Sequence, residues 1–272
     1  MLTNTCTCLG YNVFADTLDT LPKDRKIVIN TINQYSYCIG EQDSDFKKAL
    51  KKSDILLPDG VGIVAAAKFL TNSVIKKISG TDLHEHFLRD LNAKGGSCFY
   101  LGSSTSTLEK IQERLKKEYP YIKGHFYSPP FKAEFSMEDS KEMIERVNDV
   151  NPDVLFIGMT APKQEKWAVT FKSFLNTNYI CSIGAVFDFY AGTVKRPNKI
   201  WINMGLEWLG RMISEPKRLY KRYLIYGPMF AFMLVQHKRK KGESLPVAET
   251  STTTHAPVFS LSSLEKDGYT AA

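Results

Sequence analysis

The sequence lacks the signatures that mark most nucleotide-handling and metal-dependent enzymes. There is no P-loop, and no Gly-x-Gly-x-x-Gly follows the first strand-like run, which argues against an NTPase and against a dinucleotide-dependent oxidoreductase or epimerase. No His/Cys cluster stands at metal-ligand spacing. No Asp-x-Asp stands at a strand exit: Asp43-Ser44-Asp45 matches only as a string and opens a helical pattern, where acids are expected anyway. Cysteines are few and scattered (Cys6, Cys8, Cys38, Cys98, Cys181), an odd set that argues against a disulfide framework and for a reducing compartment. Cys6 and Cys8 have no second half with which to build a metal site. Long apolar runs are missing too: the longest, Tyr223 to Val235, falls short of the ~20 residues of a spanning helix, and Gly227-Pro228 interrupts it. A full membrane crossing is therefore not expected, whereas lying in the interface is. The start, MLTNTCTCLGYNVF, has neither the basic nor the long apolar region of a secretory signal. Acids are scarce between Lys195 and Lys241, where only Glu207 and Glu215 oppose many Lys and Arg residues. Within a net charge of +7, that segregation points to a negatively charged partner such as nucleic acid, anionic lipid or phosphate.

What the chain does contain is a repeated hand-over from apolar strand to polar helix between about residues 27 and 190. RKIVIN, DILLPDG, SCFYLG, DVLFIG and YICSIG read as strands. DSDFKKALKKS, VGIVAAAKFL, SSTSTLEKIQERLKKEYP, MEDSKEMIERVNDV and PKQEKWAVTFKSFL read as helices. Such alternation predicts an α/β fold with a Rossmann-like, mostly parallel sheet and helices on both faces. From about residue 194 the strands stop. Ile200, Met204, Trp208 and Met212 keep a helical spacing among basic and aromatic residues, and from Gly242 the composition turns Ser/Thr-rich and is expected to stay disordered. The expected division is a catalytic domain over residues 1–193, a basic amphipathic membrane-associating appendage over 194–241, and a tail over 242–272. There is no internal repeat.

In a parallel sheet all strand exits lie along one edge, and ligands bind outside it. Five exits here carry small or polar residues: Thr31 and Asn33, Pro58-Asp59-Gly60, Gly102-Ser103-Ser104, Gly158 to Gln164, and Gly184 to Asp188. Each has a plain structural reading beside the functional one. Asp59 sits in a good turn sequence, yet directly between an apolar strand and an unusually apolar helix, where a carboxylate suits a general base. Thr31 and Asn33 can cap a turn, and the Gly102 segment can simply cap a helix. Gln164 and Glu165 fit an ordinary first helical turn. Asp188, between Phe187 and Phe189, needs a partner, either internal or a ligand hydroxyl. Arg211, Lys217, Arg218, Lys221 and Arg222 recur on neighbouring turns and are either a solvated basic face or a phosphate-coordinating one. Trp201, Trp208, Tyr220 and Tyr223 interleave with them as at a membrane interface.

The stretches LPDGVGIV, SGTDL, GMTAPKQEKW, GAVFDFYAGTVKRP and GLEWLGRMISEPKRLYKRYL, in this order, resemble the WecG/TagA/CpsF glycosyltransferase family over about residues 10 to 226. The resemblance implies an inverting, metal-independent transferase without a cofactor. It would move a sugar from a UDP-sugar to an undecaprenyl-diphosphate-linked saccharide in surface-polysaccharide synthesis, at the inner face of the cell membrane. It implies Asp59 as catalytic base, with Thr31 and Asn33 beside it. Gly158, Gln164, Glu165 and Asp188, with Thr81 and Asp82 of the SGTDL motif, fall on the donor side. Arg211 and Arg218 fall on diphosphate-binding positions, with the third at Lys221 or Arg222. The usual Thr-Gly-Thr-Asp-Leu reads Ser79-Gly80-Thr81-Asp82-Leu83 here. The rival reading is a non-enzymatic polyanion- or nucleic-acid-binding protein, which does not require the apolar Tyr223–Val235 run; no nucleic-acid partner is expected. Donor sugar, acceptor glycan and homo-oligomerisation are left open by the sequence.

Overall fold

The computed structural model describes residues 4–194 and 216–243, together with Leu209 and Met212. Six short strands form its centre, five of them almost uninterrupted apolar runs and the sixth, Lys123–Tyr127, a half-exposed edge strand. They are β3 (Ile27–Ile32), β4 (Ile55–Pro58), β5 (Ser97–Gly102), β6 (Lys123–Tyr127), β7 (Val154–Gly158) and β8 (Tyr179–Ser182), after an antiparallel pair β1 (Thr5–Cys8) and β2 (Tyr11–Phe14). The six pair in parallel in the order β4-β3-β8-β7-β5-β6. Strands buried on both faces lose the alternation of a half-exposed strand, which is why they read as continuous apolar runs.

Helices cover both faces. α4 (Gly80–Lys94) and α5 (Thr105–Glu118) lay Leu83, Phe87, Leu108 and Ile111 against Ile29, Tyr100 and Phe156 on one face. α6 (Met137–Asn148) and α7 (Lys163–Phe171) lay Met143, Val147, Trp167 and Ala168 against Val28, Leu155 and Ile180 on the other. α8 (Val186–Tyr190), which follows β8, returns to the first face through Val186 and Phe187. The chain thus leaves β7 toward one face and leaves its neighbours β5 and β8 toward the other, the switch that opens a crevice at a parallel sheet's carboxyl edge.

At the β4 end a third cluster gathers β1, β2, α1 (Gln34–Gln42), α2 (Ser44–Lys51) and α3 (Val61–Thr71), with Cys6, Tyr11, Cys38, Phe46 and Ile63 at its centre. All five cysteines are buried and free, so they pack as small apolar groups. Asp43 caps α2 by accepting the N–H groups of Asp45 and Phe46, the structural reading of the Asp43-Ser44-Asp45 string.

After the sheet come α9 (Pro216–Tyr220), a π-helical turn (Lys221–Ile225) and α10 (Tyr226–Glu243). Gly227-Pro228 does not break this helix, contrary to the sequence expectation. Pro228 lies in the first turn of α10, directly after the wider π-helical turn that the Tyr226 N–H closes on the Lys221 carbonyl. α10 is seated on the domain: Phe230 is buried beside Tyr37 at 5.5 Å between ring centroids, and Tyr226 stands edge-on to Tyr35 at 5.0 Å. Among the described residues no helix is long and apolar enough to cross a membrane.

Candidate active site

The strand order sets the five polar exits side by side along one edge: Asp59, then Thr31 and Asn33, then Gly184 to Asp188, then Gly158 to Gln164, then Gly102 to Ser104. At about 4.8 Å per strand, Asp59 and the β8 exit stand about 10 Å apart, the reach of a sugar diphosphate. Register fixes the first pair: Thr31 lies beside Leu57 and Ile32 beside Pro58, and the Asp59 N–H donates to the Ile32 carbonyl at 2.8 Å. Asp59 is half-buried at the mouth of a turn whose next residue, Gly60, has φ +105°. A side chain on Gly60 would press on Gln34, and one on Gly62 would collide with it, so the Asp-Gly-Val-Gly turn lies flat against the start of α1.

Asn33 is the N-cap of α1. Its Oδ1 accepts the Ser36 N–H at 3.0 Å, and Ser36 Oγ accepts the Asn33 N–H at 2.8 Å. The cap uses Oδ1 and not the amide nitrogen, so the capping and functional readings coexist. Ser79 is the N-cap of α4, and Asp82 holds the place that Ser36 has in α1: its carboxylate accepts the Ser79 N–H at 2.8 Å and the Ser79 hydroxyl at 2.7 Å. That carboxylate closes a capping box, the structural reading of the SGTDL motif. Gly80 brings this helix start against Ile183 and Val186, next to the β8 exit, with Thr81 half-buried there.

The β5, β7 and β8 exits interlock through glycine. Gly102 pairs with Gly158, and a Cβ on Gly102, at φ +119°, would sit 2.5 Å from the Gly158 carbonyl oxygen. A Cβ on Gly158 would overlap the Phe187 ring. Gly158 is therefore required for close packing. Gln164 then ties two exits together. Its Oε1 accepts the Met159 N–H at 3.2 Å, and its amide lies against Gly184. Gln164 Nε2 donates to Glu165 Oε1 at 2.8 Å.

Gln164 and Glu165 are only 5% and 3% exposed, so both stand inside the protein behind the edge. Burial pushes the Glu165 carboxyl up to about 7, with the hydrogen bond from Gln164 pulling the other way. Glu165 Oε2, Asn30 Oδ1, Trp167 Nε1 and Ser182 Oγ are buried without a hydrogen-bond partner among the described residues. Strand register and α7 assign these four residues to the same side of the sheet. The sequence reading missed Asn30, whose only signal was an amide in the middle of an apolar strand. Asp188 is half-buried on α8, and its backbone carbonyl accepts the Thr193 and Val194 N–H groups. Ser104 caps α5 by accepting the Thr107 N–H.

Of the basic positions, Arg211 and the side chains of Lys217 and Arg218 lie outside the described residues. Lys221 is exposed, whereas the Arg222 guanidinium lies 5.0 Å over the ring of Tyr35, two residues past Asn33. A groove of about 700 Å³ runs elsewhere, along the flank of α4 between Lys76 and Asp90, and its lining includes Asp82 but neither Asp59 nor Gln164. Among the described residues, no three His, Cys, Asp or Glu side chains are grouped to hold a metal ion.

A parallel sheet with its polar residues gathered outside the carboxyl ends, on both sides of a switch in helix direction, defines a Rossmann-like α/β enzyme. The chain belongs to the glycosyl transferase WecG/TagA/CpsF family, whose family model matches residues 2–244. It is similar to an N-acetylglucosaminyldiphosphoundecaprenol N-acetyl-beta-D-mannosaminyltransferase of Bacillus subtilis (strain 168), with 28% identity over 242 residues, 88% of this chain and 92% of that one. Proteins of the same name from Bacillus spizizenii and Staphylococcus aureus (strain MW2) are each 26% identical, over 73% and 72% of this chain and 74% of theirs. The protein is a glycosyltransferase, and the reading as a non-enzymatic polyanion binder falls away.

Proposed function

We propose that this glycosyltransferase moves an N-acetylhexosamine from a UDP-sugar to a polyprenyl-diphosphate-linked N-acetylglucosamine, with inversion, at the inner surface of the cell membrane. The observation that carries this reading is the likeness to the Bacillus subtilis enzyme along 92% of that enzyme's length, together with the alignment of Asp59, Thr31 and Asn33 on one edge. The relatives' names specify a diphosphoundecaprenol acceptor and a β-linked product, and a β product from an α-linked nucleotide sugar requires inversion.

In the proposed reaction Asp59 accepts the proton of the acceptor hydroxyl as that oxygen attacks the anomeric carbon. The bond to the nucleoside diphosphate breaks on the opposite face and UDP leaves. Asn33 Nδ2 and Thr31 orient the acceptor or sugar beside Asp59. Gln164 holds the β7 and β8 exits as a rigid cradle for the donor, with Glu165 supporting it from behind, and Asp188 and Thr81 line the same side. Arg222, with Arg211 and Arg218, neutralises a diphosphate. Residues 194–241, whose α10 packs on the catalytic domain through Tyr226 and Phe230, would bring these cations and the membrane together.

The test is a panel of UDP-sugars, UDP-N-acetylmannosamine first, with a diphospholipid-linked N-acetylglucosamine acceptor and UDP release as readout. Acceptor-dependent release is expected, and it should persist in EDTA, since a metal-independent site relies on protein cations. Release that EDTA stops and Mg²⁺ or Mn²⁺ restores would refute metal independence. No release with any donor would refute the substrate assignment.

A further inference from the structure

α3 is apolar on nearly every side: in Val61–Thr71 only Lys68 and Thr71 carry polar side chains. A helix of that composition is normally buried all round. Here Ile63, Ala66 and Ala67 enter the core, but Val61, Ala65 and Phe69, four residues apart, share an outward face and are exposed. Phe69 is 45% exposed, and Val74, just past the helix end, is 85% exposed. The outward side of α10 continues this surface with Phe232, 63% exposed, and Val235. The two helices meet where Lys238 Nζ lies 3.7 Å from the centroid of the Phe69 ring.

The charge of these two segments is strongly positive. Residues 61–78 contain Lys68, Lys76 and Lys77 and no acid, and α10 carries Lys238, Arg239, Lys240 and Lys241 against Glu243 alone, at its last residue. Two copies of such a face repel, which disfavours a second copy of this chain as the occupant. Exposed aliphatic and aromatic groups ringed by lysine match the boundary between acyl chains and anionic headgroups.

We propose that the outward face of α3, with Phe69 and Val74 at its tip, is a second lipid-contacting patch, on the catalytic domain itself and continuous with α10. It takes an anionic bilayer surface, and it sets Asp59, two residues ahead of Val61, at the bilayer boundary where a lipid-linked acceptor would present its sugar. This rests on the membrane reading proposed above, and the experiment separates the two.

Full-length wild type and a Phe69→Ser/Val74→Ser variant are pelleted with phosphatidylglycerol/phosphatidylcholine vesicles. Both are also assayed with a long-chain lipid-linked acceptor in vesicles and with a short-chain acceptor analogue in solution. The variant is expected to bind vesicles about tenfold more weakly or worse, since two apolar groups leave the interface. Transfer to the vesicle-borne acceptor should fall in step, while transfer to the soluble acceptor stays at the wild-type rate. Equal vesicle affinity of the two proteins would overturn the patch and leave the membrane reading standing. A wild type that never pellets would overturn both. Loss of self-association in place of lipid affinity would make the face a protein contact and also overturn the proposal. A measurement that spares Phe69 is the Val74→Cys protein carrying a polarity-sensitive fluorophore, labelled selectively because the five native cysteines are buried. A blue shift on adding vesicles is expected, and an unchanged spectrum contradicts the patch.

Discussion

Glu165 and His84 are buried titratable groups on opposite faces of the sheet, and they bend the stability profile in opposite directions. The Glu165 carboxyl is raised from 4.5 to about 7, first by burial, so the folded chain keeps a proton that the unfolded chain releases. Its contribution is fully present below about pH 4.5 and is lost as pH rises through about 7, on the order of 3 kcal/mol in all. Glu165→Gln keeps the hydrogen-bonded shape without the ionisation. Relative to wild type, the variant should therefore gain stability between pH 5 and pH 8.5 in urea unfolding. A difference that is the same at both pH values would show that Glu165 is not buried as a neutral acid. His84, bonded to the Tyr100 hydroxyl at 2.7 Å, is held down to about 3 by burial and then by Arg114. It stays neutral in the fold, so stability also falls as pH drops from about 6.5 toward 3.

At the scale of elements, the helix after the sheet carries the clearest discrimination between neighbouring residues. The π-helical turn at Lys221–Ile225 rotates consecutive side chains apart from their α-helical positions, and it turns Arg222 onto Tyr35 while Lys221 stays exposed. Tyr35 follows the Asn33 cap by two residues, so Arg222 is tied to the edge that holds Asp59. Arg222→Ala should lower transfer by about tenfold or more, as expected for a charged group desolvated against a phosphate, and Lys221→Ala should stay within about twofold. Steady-state kinetics of both variants with one donor decides between them. The reverse order of effects would move the diphosphate contact to Lys221.

At the scale of the whole molecule, the sheet was legible because five of its six parallel strands are apolar on both faces and end in a glycine, a proline-aspartate turn or a polar residue. β6 escaped detection because Lys-Gly-His-Phe-Tyr sits at the sheet's edge, half-exposed, with no apolar run to signal it. α4 was hidden because its core contacts, among them Leu83, Phe87 and Leu91, are spaced among His, Glu, Arg and Asp residues. The candidate site was legible as a set of exits but not as an order, since only strand pairing puts Thr31 and Asn33 between Asp59 and the β8 exit. Burial was likewise out of reach: nothing in Pro-Lys-Gln-Glu distinguishes side chains that touch a donor from side chains that brace the loop beneath it.

The proposed chemistry turns on a single carboxylate, and one substitution addresses it. Asp59→Asn preserves the shape of the Asp-Gly-Val-Gly turn and its backbone bond to Ile32, so the fold and donor binding should be unchanged, as read by thermal unfolding and by titration with the UDP-sugar. Acceptor-dependent UDP release should drop about 10²–10⁴-fold, the range expected when a general base is removed. A folded Asp59→Asn protein that binds donor and turns over at the wild-type rate would contradict the assignment of Asp59 as the base.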